Sequence, residues 1–334
     1  MKACVLNGYD KKGRSLEIVN VQKPEIGNND VLVKTRTAGV NPLDNMIIHG
    51  DVKLIVPYKT PLVMGNEFTG VIEKVGKSVT RFKVGDRVYG RMPLRKIGTF
   101  AEFIAIEQDS IAIVPEYLSD EEASCVPLTA LTAFQAFEIM RPKAGETIFI
   151  SGGTGSLGAM AIPLAKSFGL SVITNGNAEN RDRVIELGVD RFIDYKTEDY
   201  SKSLHDVDYV LDTLGDRELA KEFSILKQGG KLVSLKGLPN GEFASRFGMP
   251  FVKRMLFGMV GRKYDKMADK KNQSYHFIFV HEDGKGLETI SKLFTEKKIK
   301  VSVDEVFSLD DVNKALEKVA NGKSKGKTII RISK

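Results

Sequence analysis

The chain has 334 residues, of which 42% are hydrophobic and 28% are charged, and its net charge is +7. This composition is typical of a soluble globular protein, and the length suits two domains better than one. The first residues lack an apolar signal segment and no eighteen apolar residues run together, so neither secretion nor a transmembrane helix is expected.

The cysteines and the basic excess exclude further classes of protein. Cys4 and Cys125 lie far apart and outside any CxxC pair. This excludes a disulfide framework and a cysteine-rich zinc site, and it is compatible with the cytosol. Lysine-rich stretches such as 263–271 and 323–327 contribute to the positive charge. No recognisable nucleic-acid recognition module accompanies them, so nucleic-acid binding is not expected.

Short strands punctuated by glycine dominate residues 1–123. Residues 31–37 alternate apolar and polar side chains, and 70–76, 84–90 and 100–106 continue the strand pattern. Many short strands closed by turn residues predict a small barrel-like fold.

The pattern changes near Ser119, after which strands alternate with helices. The predicted strands are Thr147–Ser151, Ser171–Thr174, Arg191–Asp194, Asp208–Asp212, Lys231–Leu235 and His276–Val280. The predicted helices between them are Gly155–Phe168, Ala178–Leu187 and Arg217–Lys227. This alternation predicts a doubly wound parallel sheet that binds a nucleotide. The chain then ends with a helix, Leu287–Glu296, a strand, a second helix, Leu309–Ala320, and a final strand, Lys327–Ile332.

A glycine-rich turn follows the first of these strands. Gly153-x-Gly155-x-x-Gly158 comes directly after Ile148–Ser151 and opens a helix. The glycines permit a tight turn and let backbone N–H groups approach a pyrophosphate, which the helix N-terminus also favours. The strand before the turn, the helix after it and the later βα units support a dinucleotide site.

The end of the second strand indicates which dinucleotide binds. An NAD site usually has an acidic residue there to bind the ribose 2′-hydroxyl, but this chain has Asn175–Asn177. Arg181 and Arg183 follow, and a 2′-phosphate favours arginine and polar donors. NADPH is therefore the expected cofactor, although both arginines could simply be exposed on a helix and Glu179 is a nearby acid.

Motifs over nearly the whole chain carry a family resemblance. They are Ala38–Asp44, Pro61–Val71, Val84–Gly90, Pro127–Ala133, the glycine-rich turn and Val207–Gly215. The chain resembles the medium-chain dehydrogenase/reductase superfamily. The resemblance implies an α/β fold with a GroES-like β-barrel catalytic domain plus a Rossmann doubly wound parallel-sheet cofactor domain. The implied domains are 1–123, 124–281 as the Rossmann domain, and 282–334 returning to the catalytic domain. It also implies a homodimer.

The superfamily has zinc-dependent and zinc-independent branches. Where zinc enzymes carry a cysteine and a histidine ligand, this chain has Asn41 and Asn66, and Arg91–Gly98 lacks the four-cysteine lobe. Zinc needs a set of thiolate, imidazole or carboxylate ligands, which Asp44 and Glu67 alone cannot supply. No metal is therefore expected, and a zinc-type alcohol dehydrogenase is the alternative within the family.

The Asn-Pro-x-Asp motif and the missing ligands resemble the zinc-independent quinone-oxidoreductase branch, which includes zeta-crystallin-like and enone-reductase-like enzymes. By this resemblance Asn41 lies near the nicotinamide and the substrate carbonyl. Asp44 is the second catalytic candidate, or it simply braces the turn after Pro42. The expected cofactor-binding residues are Thr129, Thr154, Gly155, Ser156, Leu157, Asn175, Asn177, Arg181, Tyr195, Leu214, Ser234, Phe277, Phe279 and Lys327. Tyr195 and Ser234 could also be ordinary residues at strand ends.

Residues 237–275 depart from the branch. This segment holds Phe243, Phe247, Met249, Phe251, Met255, Phe257 and Met259, followed by a lysine-rich tail. Its methionines could form an adaptable lid over an apolar substrate. Core packing, dimer packing and a basic amphipathic stretch at a membrane surface are the other interpretations, although no clean apolar face is visible in the sequence.

The expected function is that of a cytoplasmic NADPH-dependent oxidoreductase. Hydride from NADPH would reduce a quinone or the C=C bond of an α,β-unsaturated carbonyl, and the substrate is expected to be small and apolar. Without zinc, a donor such as Asn41 must stabilise the charge that develops on the substrate oxygen. The alternative from another class is a structural or regulatory protein that binds NADPH.

Overall fold

The computed structural model describes residues 1–11, 16–322 and 326–333, so part of the lysine-rich stretch 323–327 lies outside the described residues. The chain divides into two compact units. Unit 1 comprises Met1–Leu131 with His281–Lys334, and unit 2 comprises Thr132–Val280. The sequence-based division, at 123/124 and 281/282, is close to these bounds.

Strands and helices follow one another in this order. The strands are β1 Lys2–Leu6, β2 Glu17–Asn20, β3 Asp30–Val40, β4 Leu62–Val63, β5 Glu67–Val75, β6 Arg87–Arg91, β7 Phe103–Glu107, β8 Ile111–Ile113, β9 Thr147–Ile150, β10 Ser171–Gly176, β11 Arg191–Asp194, β12 Val207–Asp212, β13 Leu226–Ser234, β14 Ser274–Phe277, β15 Val303–Ser308 and β16 Lys327–Arg331. The α-helices are α1 Pro42–His49, α2 Asp120–Ala123, α3 Pro127–Met140, α4 Ser156–Ser167, α5 Arg181–Glu186, α6 Tyr200–Ser203, α7 Asp216–Ile225, α8 Gly241–Arg246, α9 Phe251–Asp269, α10 Gly284–Lys297 and α11 Val312–Ala320.

Unit 1 is built mainly from antiparallel strands. Its larger sheet has the order β15-β16-β3-β5-β6-β8, with β7 also paired to β3, and a smaller sheet has the order β2-β1-β4. The long strand β3 pairs antiparallel with β5, β7 and β16. In this register Thr328 of β16 lies opposite Val40 of β3. The last strand of the chain therefore brings Lys327 next to the start of α1.

Unit 2 contains a parallel sheet with the strand order β11-β10-β9-β12-β13-β14. Counted within the unit, this is the order 3-2-1-4-5-6 of dinucleotide-binding folds, in which ligands bind where the strand order reverses. Ile148, Phe149 and Ile150 of the central strand β9 are fully buried, as expected for a strand covered on both faces. The predicted doubly wound sheet is confirmed.

The last strand of this sheet differs from the sequence prediction. It was expected at His276–Val280, but β14 spans Ser274–Phe277 and pairs with Lys231–Ser234 of β13. Tyr275 and Phe277, alternate residues of β14, are both buried. Phe279 therefore lies beyond the strand.

One segment among the described residues, Asp120–Met140, is long and apolar enough to cross a membrane by length and composition alone. In the fold 78% of its most apolar window is buried, as in the core helix of a globular protein.

Cys4 and Cys125 are both buried free thiols.

Candidate functional site

The glycine-rich turn joins β9 to α4 at the carboxyl edge of the parallel sheet. Gly152 has a φ of +65°, a backbone conformation that residues other than glycine rarely adopt. A Cβ atom on Gly158 would lie 1.9 Å from the carbonyl oxygen of Gly153, so only glycine lets the helix approach the turn this closely. Ser156 and Leu157 begin α4, and the first turn of a helix is a place where backbone N–H groups can bind an anion.

A cavity of about 780 Å³ opens at this turn. Its lining residues are Gly152, Thr154, Gly155, Asn175, Gly176, Tyr195, Lys196, Thr197, Glu198, Asp199, Tyr200, Leu214, Glu218 and Lys221. Five of the residues predicted to bind the cofactor are among them: Thr154, Gly155, Asn175, Tyr195 and Leu214. The volume and the glycine-rich edge fit a dinucleotide.

Two side chains of β10 hold the turn in place. The Asn175 Oδ1 atom accepts a hydrogen bond from the Gly152 N–H at 2.7 Å, and Thr174 Oγ1 accepts one from the Gly153 N–H at 3.0 Å. Sequence reasoning missed Thr174, because a threonine inside a strand gives no functional signal. Asn175 was predicted to bind the cofactor, and in this structure its carbonyl oxygen braces the loop.

The cations near the end of β10 are arranged differently from the prediction. Arg181 is exposed and does not line the cavity. Arg183 is half-buried, and its guanidinium donates a hydrogen bond to the carbonyl oxygen of Thr154. Lys196 lines the cavity, and Glu198, one of three acids in the lining, is paired with Arg191 at 2.8 Å. Asn177, which follows the strand, is not among the lining residues.

Ser234 serves a structural purpose in this arrangement. It is fully buried, and its hydroxyl donates to Asp212 Oδ2 at 2.5 Å. The other carboxylate oxygen of Asp212 accepts bonds from the N–H groups of Leu214 and Gly215 at 2.7 and 2.8 Å. Asp212 therefore fixes the loop that carries Leu214 into the cavity lining. Burial and the charge of Asp212 raise the pKa of neighbouring Glu222 well above its usual value.

The aromatic residues predicted at the cofactor belong to an internal cluster. Phe277 is 7% exposed and packs edge-on against Phe243, with ring centroids 5.0 Å apart. Phe279 packs edge-on against Phe247 at 6.2 Å. Neither Phe277 nor Phe279 lines the cavity.

A buried polar cluster in unit 1 gathers around Lys327. Its ammonium nitrogen lies 2.5 Å from Asn41 Oδ1, 2.6 Å from Glu67 Oε1 and 3.0 Å from Thr129 Oγ1. These three contacts use its three N–H donors. Glu67 is fully buried, and its second oxygen accepts the Leu128 N–H at 2.7 Å. Lys327 was predicted to bind the cofactor, but here its donors are used within the cluster.

Asn41 is integrated into the same cluster. Its Nδ2 group donates to Glu67 Oε1 at 2.7 Å and, at 3.4 Å, to the carbonyl oxygen of Gly39. Gly39 has no room for a side chain, since an added Cβ would lie 2.4 Å from Glu67 Oε1. Thr129 differs, because its oxygen accepts from Lys327 and its hydroxyl proton has no acceptor among the residues that the structure describes.

Asp44 braces the start of α1. Its Oδ2 atom accepts the Asn41 N–H and its Oδ1 atom accepts the Asn66 amide, both at 2.7 Å. Burial raises the pKa of Asp44 to about 7, although these two hydrogen bonds act in the opposite direction. This geometry favours the bracing interpretation of Asp44 over a catalytic one.

Arg91 is a buried charge that sequence reasoning missed. Its Nη1 group donates to the Met92 carbonyl oxygen and lies 3.7 Å from Glu282 Oε2. Burial lowers the pKa of its guanidinium. Among the described residues its Nε and Nη2 atoms have no hydrogen-bond partner. The sequence signal that could have identified it was an arginine at the end of the buried strand β6.

The donor set of unit 1 does not suit a metal ion. Asn41 and Asn66 contribute neutral amides, and the ammonium of Lys327 lies between Asn41 and Glu67. Over residues 1–11, 16–322 and 326–333, no three or more His, Cys, Asp or Glu residues come together as a ligand group.

Comparisons with known proteins agree with this architecture. Residues 27–116 match the alcohol dehydrogenase GroES-like domain, and residues 187–330 match the zinc-binding dehydrogenase family. A mitochondrial NAD(P)H oxidoreductase of Danio rerio is 30% identical, over 99% of this chain and 91% of its own length. A 2-methylene-furan-3-one reductase of Solanum lycopersicum is 34% identical, over 65% of this chain and 58% of its own.

Solved structures give the same answer. The quinone oxidoreductase of Coxiella burnetii superposes with a TM-score of 0.82 and 26% identity, and the match covers 100% of this chain and 99% of that one. With the two units and the glycine-rich cavity described above, these matches show that the chain belongs to the medium-chain dehydrogenase/reductase superfamily, as a quinone-oxidoreductase-like enzyme that uses a nicotinamide cofactor.

Proposed function

We propose that the enzyme is a zinc-independent reductase that takes hydride from NADPH and delivers it to a quinone or to the C=C bond of an α,β-unsaturated carbonyl compound. The observation that carries this proposal is the Lys327 ammonium bound between Asn41 and Glu67. A lysine cation between Asn41 and Glu67 repels a divalent metal ion and supplies a fixed positive charge of its own.

NADPH, when bound, supplies the hydride, and the protein residues orient the reactants and stabilise charge. In unit 2, the glycine-rich turn and the start of α4 would hold the pyrophosphate. In unit 1, the Thr129 hydroxyl accepts a hydrogen bond from Lys327 and can donate a hydrogen bond to the substrate oxygen. This refines the sequence prediction, which gave that role to Asn41, because the Asn41 amide protons already bind Glu67 and Gly39.

The position of the transferred hydrogen tests this proposal. Alcohol oxidation requires removal of the hydroxyl proton, and the pKa of an unactivated alcohol lies far above neutral unless a Lewis acid or a strong general base assists. An enone avoids this requirement, because its β-carbon is already electrophilic and its enolate is less basic. With NADPH deuterated at the transferred position and a simple enone, we expect deuterium on the β-carbon of the product. Deuterium on a carbinol carbon, or rapid oxidation of unactivated alcohols with NADP⁺, would place the enzyme among the alcohol dehydrogenases.

We expect kcat/KM to be higher with NADPH than with NADH. Asn175–Asn177 carries no carboxylate, and Arg181 and Lys196 are the cations that could pair with the 2′-phosphate. Loss of such a charged hydrogen bond costs about 1.5–3 kcal/mol. At least one of Arg181→Gln and Lys196→Gln should therefore weaken NADPH binding by that amount and leave NADH binding unchanged.

Arg183→Gln is the matched control for this measurement. Because Arg183 donates a hydrogen bond to the Thr154 carbonyl oxygen of the turn, its replacement should weaken the binding of both cofactors alike. If the unmutated enzyme uses NADH as well as or better than NADPH, the assignment is wrong.

The expected cytosolic location and homodimer stay predictions, and the relatives include a mitochondrial enzyme.

A further inference from the structure

Helix α9 is apolar on two opposite faces. Its inner face packs on its own unit through Phe257, Gly261, Tyr264 and Ala268, all buried. Its outer face carries exposed apolar side chains that recur at intervals of four residues. They are Phe251 (66% exposed), Val252 (77%), Met255 (56%), Leu256 (38%), Met259 (65%) and Val260 (37%). These six residues form the outer apolar face, which nothing in the described chain covers.

Basic side chains border this face. Between Phe251 and Tyr264 the helix carries Lys253, Arg254, Arg262 and Lys263, and it has no acidic residue there. Arg254, Arg262 and Lys263 are exposed. Lys263 pairs with Asp216 at 2.9 Å, and both side chains are more than half exposed. An apolar stripe with a basic border is the pattern of helices that lie in the plane of a membrane surface.

Charge decides between the two partners that could cover such a face. A second copy bound through the same face would bring the basic residues of both helices together, and like charges at an interface disfavour binding. An anionic lipid surface pairs with these charges and accepts the apolar side chains in its headgroup and acyl boundary. The sequence alone showed no clean apolar face, because the buried inner face interleaves with the outer one.

We infer that the outer apolar face of α9 binds the surface of an anionic lipid bilayer, with Phe251, Met255 and Met259 inserted at the boundary between headgroups and acyl chains. The helix lies flat on the surface and does not cross it. This would place an enzyme for small apolar carbonyl compounds or quinones next to the phase in which such compounds dissolve.

Flotation with lipid vesicles tests this inference. The full chain should float with phosphatidylcholine vesicles that contain phosphatidylserine and should float less with pure phosphatidylcholine or at high salt. The Met255→Glu/Met259→Glu double variant should reduce the bound fraction by about tenfold or more, because it places charge where apolar side chains enter the bilayer. Val84→Glu, at a residue that is 60% exposed and outside the helix, is the matched control and should bind as the unmutated chain does.

Three results would overturn the inference. The unmutated chain could fail to float with either kind of vesicle. The double variant could float as well as the Val84→Glu control, so that another surface binds lipid. The double variant could instead change the oligomeric state in size-exclusion chromatography, or the KM for an enone, without changing flotation; the face would then be a dimer contact or a substrate lid. Circular dichroism melting of both variants verifies that they remain folded.

Discussion

Replacement of Lys327 by methionine should lower the free energy of unfolding by about 3–5 kcal/mol, because it leaves the carboxylate of Glu67 buried without a counter-charge. Glu67 is fully buried, and the Lys327 side chain is 7% exposed. Urea denaturation followed by circular dichroism measures the loss, since the chain has no tryptophan for fluorescence. Lys314→Met is the matched control, because Lys314 pairs with Asp311 at a similar distance, 2.8 Å, but is 75% exposed. Because this pair is exposed to solvent, its loss should leave the free energy of unfolding nearly unchanged.

A double variant separates the charge pair from simple packing. Glu67→Gln alone leaves the ammonium of Lys327 without its counter-charge, so it should also destabilise. In Lys327→Met/Glu67→Gln both charges are gone, and we expect the total loss to be smaller than the sum of the single losses by about 1–3 kcal/mol. Additive losses would mean that the two residues do not depend on each other and that the ion pair does not organise the cluster.

The same variant should affect turnover. Lys327 donates a hydrogen bond to the oxygen of Thr129, and under the proposed function its charge would strengthen the Thr129 hydroxyl as a donor to the substrate oxygen. Loss of one such donor typically costs about 10²–10³ in rate. We expect Lys327→Met and Thr129→Val both to lower kcat by this order while the KM for NADPH changes little. Thr129→Val keeps the ion pair and should retain most of the stability. Wild-type turnover by Thr129→Val would exclude the hydroxyl as the donor.

The sequence predicts local features of this enzyme well. The glycine-rich turn, the strand before it and the uncharged end of β10 are contiguous in the chain, and the predicted sheet follows from the alternation of strands and helices. Distant contacts are different. Lys327 meets Asn41 across 286 residues, because β16 pairs with β3, and no local pattern specifies that pairing. The local signal was a lysine at the start of an apolar strand, and the return of residues 282–334 to the catalytic domain was implied by the family resemblance.

Resemblance to a family transfers positions more reliably than hydrogen bonds. Ser234 stands at a strand end where cofactor contact was expected, yet its hydroxyl donates to buried Asp212. Arg181 was predicted to bind the cofactor, although Arg183 follows the same strand. Both arginines lie on α5, and the helix directs Arg183 toward the Thr154 carbonyl oxygen of the glycine-rich turn. In both cases the deciding factor is the direction of a side chain, which neither spacing nor composition contains.

Gly158 and Gly155 should respond differently to the same substitution, since the two glycines serve different purposes. On Gly158 an added Cβ would lie 1.9 Å from the Gly153 carbonyl oxygen and 2.4 Å from its carbon. These are backbone atoms, so the clash cannot be relieved by rotating a side chain. Gly158→Ala must therefore push α4 away from the turn. We expect it to destabilise the protein by about 1–3 kcal/mol or more and to abolish NADPH binding.

Gly155→Ala is the matched substitution, because it adds the same methyl group without a clash. Gly155 has a φ of −83°, which alanine adopts freely, and its added Cβ meets only the Gly152 oxygen at 3.5 Å. The free energy of unfolding should stay within about 0.5 kcal/mol of the unmutated chain. Gly155 lines the cavity, however, so its methyl group would keep the pyrophosphate from approaching the backbone. NADPH affinity, measured by titration of cofactor fluorescence, should fall by about tenfold or more, the equivalent of at least about 1.4 kcal/mol. Unchanged affinity in Gly155→Ala would show that the dinucleotide does not lie against this turn, and unchanged stability in Gly158→Ala would show that the helix does not pack as described.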